Sequence, residues 1–182
     1  MMRWLAPLIT GLMAALIGFW LVLNWVPGFI MDKAMARVET AAGINTVWHG
    51  PPTSEASRNV VRPSPDIIYS ICAFDLSEGP VVLHVPWPED GSYASVSFYD
   101  ANTNNFAVIN DQDVEGEANS QIHLNRLAIT PPGGISPVAW SRSQIVSPTP
   151  TGLALYRRVV MGGTSIEDAD TGRRAFSCEA TG

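Results

Sequence analysis

Residues 66–85 read DIIYSICAFDLSEGPVVLHV. The stretch Asp66–Asp75 is rich in β-branched and aromatic residues. Ser77-Glu78-Gly79 is a turn signal, and Pro80–Val85 resumes the apolar run. Two short β-prone runs joined by a Gly-containing turn read as a hairpin.

The same grammar continues outward. Pro86-Trp87-Pro88-Glu89-Asp90-Gly91 is a second turn, followed by a strand at Tyr93–Tyr99 with partial alternation. Asn105–Ile109, Gln121–Ile129, Val138–Val146 and Gly152–Met161 are further strand candidates, with an acidic loop at Asp111–Asn119. Ser165-Ile166-Glu167-Asp168 reads as a helix start. The serine oxygen can accept from first-turn amides, and the acids suit the positive end of the helix. Gly172 keeps that helix short. About seven strands with turn signals every 8–12 residues or so predict a mainly β fold. The expected architecture is an antiparallel β-sandwich or barrel-like sheet with a short C-terminal helix.

One transmembrane helix is expected before it. Trp4–Val26 carries no charged side chain, and about 20 apolar residues cross a bilayer core of roughly 30 Å. Trp4, Trp20 and Trp25 lie towards its ends, where interfacial aromatics belong. A cleaved signal has a shorter apolar run, and the cleavage-like triplet Ala34-Met35-Ala36 lies well past this one. An uncleaved anchor is therefore favoured over a signal peptide or a buried core helix. Pro27-Gly28 should end the span. Ile30, Met31, Ala34, Met35 and Val38 then keep helical spacing, as in an amphipathic stalk. The expected organisation is an anchor at 1–28, a stalk and linker at 29–57, and a β domain at 58–182. Flanking charges are nearly balanced. A single N-terminal span usually exports the domain behind it, so the expectation is a single-pass inner-membrane protein with its C-terminal domain in the periplasm.

Of the 17 acidic and 11 basic residues, only Asp32 and Arg3, Lys33 and Arg37 precede Val38, which leaves 16 acidic against 8 scattered basic residues. No basic patch exists to track a phosphate backbone, so nucleic acid is not an expected partner. Cys72 and Cys178 are the two cysteines. They either pair in an oxidising compartment or leave Cys72 as a buried thiol. His49, His84 and His123 are far apart and no metal-ligand spacing occurs, so no metal is expected. No dinucleotide, P-loop, G-x-S-x-G or H-E-x-x-H fingerprint is present, and no cofactor is expected.

Two polar runs are candidate site elements. Arg62-Pro63-Ser64-Pro65-Asp66 is stiffened by its prolines, so it can aim Arg62 and Asp66 reproducibly, with Tyr69 close behind. Arg62 would suit an anion or pin the loop through a carboxylate. Asp100-Ala101-Asn102-Thr103-Asn104-Asn105 has the residues of a turn. It also offers more donors and acceptors than a tight turn needs. The two runs are expected to contribute to one site.

RPSPDIIYS, DLSEGPVVLHVP, YASVSFYDANTNNF and PTPTGLALYRRVV occur in that order. Together they resemble the bacterial domain of unknown function 1254 (DUF1254) over about residues 58 to 180. The resemblance implies a β-sandwich and no settled reaction. It carries over Arg62, Asp66, Tyr69, Ser70, Asp100, Thr103, Asn104, Asn105 and Arg157 or Arg158 as a polar signature. Ile67 stands where the family usually has Thr. Longer members continue into a second domain, DUF1214, and this chain stops near where that domain would begin. Three readings are open. The first is a membrane-tethered interaction module pairing with a separate DUF1214-type chain. The second is an enzyme using Arg62 to bind charge, Asp66 or Asp100 as acid/base and Tyr69 as proton donor. The third is a binding domain for a small polar or anionic ligand that uses the same residues and Arg158.

Overall fold

A computed structural model describes residues 5–52, 64–114, 118–126, 144–161 and 163–181. The chain runs α1 (Leu5–Ala42), β1 (Thr46–His49), β2 (Ile67–Asp75), β3 (Val81–Pro86), β4 (Ala94–Asp100) and β5 (Asn105–Asn110). A 3-10 turn (Asp111–Val114) comes next. Then come β6 (Asn119–Arg126), β7 (Gln144–Ser147), β8 (Thr151–Val159), α2 (Ile166–Arg173) and β9 (Ser177–Ala180).

β8 organises the larger sheet. It lies between β2 and β4, antiparallel to both, in the order β1-β2-β8-β4-β5. Its side chains alternate strictly. Gly152, Ala154, Tyr156 and Arg158 are buried, and the intervening residues are half-buried on the other face, as a period-two element requires. The smaller sheet runs β7-β6-β3-β9 and is antiparallel except for the parallel β6–β7 pair. Phe74, Val96, Phe98 and Tyr156 from one sheet meet Val81, Leu83, Val85, Ile122 and Leu124 from the other in one apolar core. Each such side chain contributes about 1.5–3 kcal/mol by leaving water. Tyr156 stacks on Phe176 with ring centroids 5.2 Å apart. Its hydroxyl donates to the Pro86 carbonyl at 2.9 Å, and burial pushes its pKa up to about 12.

The two-layer β architecture and the short helix capped by Ser165 match the expectation. The hairpin at 66–85 does not form. β2 and β3 belong to opposite sheets, and both edges of β2 are taken by β1 and β8. Alternation tells which side chains face the core, and both strands face the same core from opposite sides. β1 and β9, at four residues each, carry too short a pattern to be read as strands. β1 also falls inside the stretch expected to be linker. Parts of the strands expected at Gln121–Ile129 and Val138–Val146 lie outside the described residues.

Pro27 does not end α1, which continues through it to Ala42. A mid-helix proline costs about 3 kcal/mol. Burial beyond it offsets that cost, because Met31 and Val38 are buried. A methyl group placed on Gly28 would lie 3.7 Å from Asn102 Oδ1. Ile30, Met31 and Ala34 face Tyr99, Leu153, Leu155 and Ile71, and the Gly43 and Asn45 that come after the helix bond back to Glu39 and Ala73. α1 therefore crosses the outer face of the larger sheet, from the β4–β5 loop towards β1. Every large apolar side chain described from Leu5 to Ile30 is exposed.

Cys72 of β2 and Cys178 of β9 form a disulfide that ties the two sheets across 106 residues of sequence. Replacing both with Ala is expected to lower stability by about 2–5 kcal/mol, because loops of this length carry a large closure entropy. Urea denaturation of the full chain with and without the bridge checks it. Gly152 is the other tight point. A Cβ there would overlap the Tyr99 carbonyl oxygen and lie 2.5 Å from the Phe74 ring. Gly152→Ala should cost at least about 2 kcal/mol, and an unshifted denaturation midpoint would contradict this packing.

Candidate functional site

The run from Asp100 closes the β4–β5 hairpin. The Asp100 side chain is buried. Its Oδ1 accepts from the backbone amides of Asn102 at 2.8 Å and Asn104 at 2.9 Å, and its Oδ2 accepts from Asn104 Nδ2 at 2.9 Å. Thr103 takes a left-handed φ of 68°, and its amide donates to the Asp100 carbonyl at 3.1 Å. This accounts for Asp100 and Asn104 as turn-builders. The Asn102, Thr103 and Asn105 residues are exposed.

Asp66 sits in the exposed turn before β2, where its carbonyl accepts from the Val160 amide at 2.7 Å. Tyr69 points to the outer face of the larger sheet, opposite Arg157. Arg62 lies outside the described residues. β8 measures the separation of the two runs. Asp66 bonds to Val160 and Asp100 pairs with Gly152, which is about 25 Å along a strand. Asp66 and Asp100 therefore occupy opposite ends of the sheet and do not meet in one site.

Arg158 points into the sandwich end. Its Nη2 pairs with Asp90 Oδ2 at 2.8 Å, and its Nη1 donates to the Ala169 carbonyl at 3.4 Å. Asp90 also accepts from Thr164 Oγ1 at 2.7 Å and from the Ser92 amide at 2.9 Å. Burial opposes its charge, but these hydrogen bonds and Arg158 prevail and hold its pKa far below the carboxylate range. Arg158 thus joins β8 to α2 rather than offering itself to a ligand.

The densest polar cluster was not anticipated from the sequence. Arg173 of α2 is fully buried. It donates to the Tyr69 carbonyl, to Ser70 Oγ at 3.1 Å and to the Gly50 carbonyl at 2.8 Å, and it pairs with Asp170. Ser70 Oγ also lies 2.9 Å from His49 Nδ1. The arginine offers only donors, so the Ser70 hydroxyl accepts from Arg173 and donates to His49. His49 is then a neutral acceptor. Burial, then Arg173 and Arg174, lower its pKa from 6.5. Burial works against the Asp170 carboxylate, but hydrogen bonds from Arg173 and Arg174 outweigh it and lower its pKa. Although Ser70 and His49 form a serine–histidine pair, Ser70 is fully buried, and the carboxylate serves Arg173 instead of the imidazole. The cluster clamps α2 to the ends of β1 and β2. Its signal in the sequence was faint, since His49 stands alone and Arg173 comes after a glycine in a short polar helix. Among the described residues no group of three or more His, Cys, Asp or Glu is arranged for a metal.

A family described as Protein of unknown function (DUF1254) matches residues 44–180. No curated protein matches the chain. The VPA0106 protein of Vibrio parahaemolyticus superposes with a TM-score of 0.54 at 14% identity, over 87% of this chain and 37% of its own. An uncharacterised protein of Burkholderia cenocepacia gives 0.50 at 14% identity, over 83% of this chain and 39% of its own. At that identity the likeness concerns the fold. The chain spans less than two fifths of the length of either structure.

The clamp predicts a pH dependence. His49 has a lowered pKa in the fold, so below about 6.5 the unfolded chain binds more protons than the folded one. Its contribution is full above that pH and is lost as pH falls through the folded value. Asp90 and Asp170, also lowered, add losses of the same sign at more acid pH. His49→Gln should flatten the stability profile just below pH 6.5 and leave the acid limb in place. Urea melts across pH check it, and an unchanged profile would exclude the His49 role.

Proposed function

The chain belongs to the DUF1254 family, and from that premise we propose that it is a membrane-tethered interaction module. The observation that carries this reading is α1. It is one helix of 38 residues whose N-terminal part exposes mostly apolar and no charged side chains among the described residues, and whose C-terminal part packs on the domain. At 1.5 Å per residue it is about 57 Å long, enough for a span and a docking segment in one rod. The helix is apolar and long enough to cross a membrane, and its junction with the domain contains no flexible linker. The sandwich is therefore held in a fixed orientation close to the bilayer, with its β4–β5 edge nearest.

The extracytoplasmic side suits the domain, because the bridge between Cys72 and Cys178 needs an oxidising compartment to form and persist. In a Gram-negative host this makes it a single-pass inner-membrane protein facing the periplasm. A DUF1214-type domain on a second chain is the proposed partner, with the exposed Asn102, Thr103 and Asn105 loop and Asp66 available for contact. A settled catalytic role finds no support in the buried Ser70–His49 pair.

Protease added to intact spheroplasts should degrade a C-terminally tagged domain, and carbonate washing should leave the protein in the membrane. Protection until lysis, or release by carbonate, would overturn the tether. Affinity purification of the full chain from its host membranes should bring down a stoichiometric DUF1214-type protein. A solitary chain would remove the partnership.

A further inference from the structure

Arg157 is a half-buried guanidinium with no ion pair among the described residues. It lies on the outer face of β8, opposite Tyr69 on one side and Ser95 on the other. Its Nη2 is 3.4 Å from both Ser95 Oγ and Ser97 Oγ, and both serines are buried. Its Nε is buried and has no hydrogen-bond partner, and the same holds for the Nε of Arg158 and of Arg173. Among the described residues no carboxylate pairs with it. Arg158 and Arg173, by contrast, each hold an aspartate. The chain has 17 acidic residues against 11 basic, so a shortage of acids does not leave Arg157 without one. A guanidinium fork with no carboxylate partner among the described residues, flanked by two hydroxyls that can each donate, matches a carboxylate ligand.

The surface adjoining this fork is apolar. Two residues back along the same face is Leu155, paired with Ile71, and beyond it is Leu153. α1 covers these residues with Ile30, Met31 and Ala34, leaving a cleft of about 270 Å³ between helix and sheet. The cleft lies where α1 joins the sheet, at the edge from which its exposed apolar segment departs. Polar head and apolar slot thus share one face and succeed one another along β8 at the strand spacing.

We propose that this face binds a single-chain amphiphilic monocarboxylate, of the free fatty acid class. Its carboxylate sits on Arg157 with Ser95 and Ser97, and its alkyl chain lies along Leu155 and Leu153 beneath Met31 and Ala34. Charge complementarity selects the acid over an uncharged alcohol, and the helix roof selects a chain over a bare anion.

The test uses the full chain in nanodiscs of zwitterionic lipid and radiolabelled octanoate in equilibrium dialysis, with empty nanodiscs as background. Saturable binding of one octanoate per chain is expected, with acetate and octanol competing at least tenfold less well. Arg157→Gln should weaken octanoate at least tenfold. Ala34→Trp, on a different element, should do the same by filling the slot. Both variants are compared after confirming the intact disulfide and a cooperative melt. No saturable octanoate in the wild type, equal binding by Arg157→Gln or by Ala34→Trp, or equal competition by acetate or octanol would each overturn the proposal.

Discussion

β8 can exist only if both its faces are covered. Ala154 and Tyr156 point one way, Leu153 and Leu155 the other, and an apolar row exposed to water forfeits its transfer free energy. The smaller sheet covers the first face and the end of α1 covers the second. That single strand has two consequences. The protein must be a sandwich, and its N-terminal helix must continue past Pro27 to lie on it. The exposed apolar segment of α1 and the domain are then parts of one packing solution.

Much of this was legible in the sequence, for physical reasons. The β-branched and aromatic runs Asp66–Asp75 and Gly152–Met161, bounded by turn signals, announced their strands because such side chains fit a pleated, partly buried surface. Ser165 announced α2 because few residues can satisfy first-turn amides, and its oxygen does accept from the Asp168 amide at 3.0 Å. Strand pairing was not legible. Ser77-Glu78-Gly79 is a good turn whether it joins neighbours in one sheet or crosses to the other, so the hairpin reading had no local contradiction. Pro27 misled for a related reason. A breaker acts on the local helix, whereas the burial of Met31 and Val38 is a tertiary term that outweighs it.

The candidate site divides in the same manner. The Asp100–Asn105 run has the residues of a turn and forms one, with Asp100 as its internal acceptor. Neighbouring residues 157 and 158 were not separable by sequence, because a motif does not say which face each occupies. The register does. Arg158 enters the sandwich and finds Asp90, and Arg157 leaves it and, among the described residues, finds the hydroxyls of Ser95 and Ser97. His49, Ser70 and Arg173 come from three distant segments, so no linear pattern could have gathered them.

The bond between Cys72 and Cys178 also sets an order of events. A nascent chain emerges from α1 onward, and β9 emerges long after β3 has passed. Until Cys178 arrives, 106 residues after its partner, β3 presents one unpaired edge along Val81–His84. Until then the chain carries an unpaired strand edge that can pair with other chains, and formation of the bridge ends this exposure. The bond can therefore close only on a nearly complete domain.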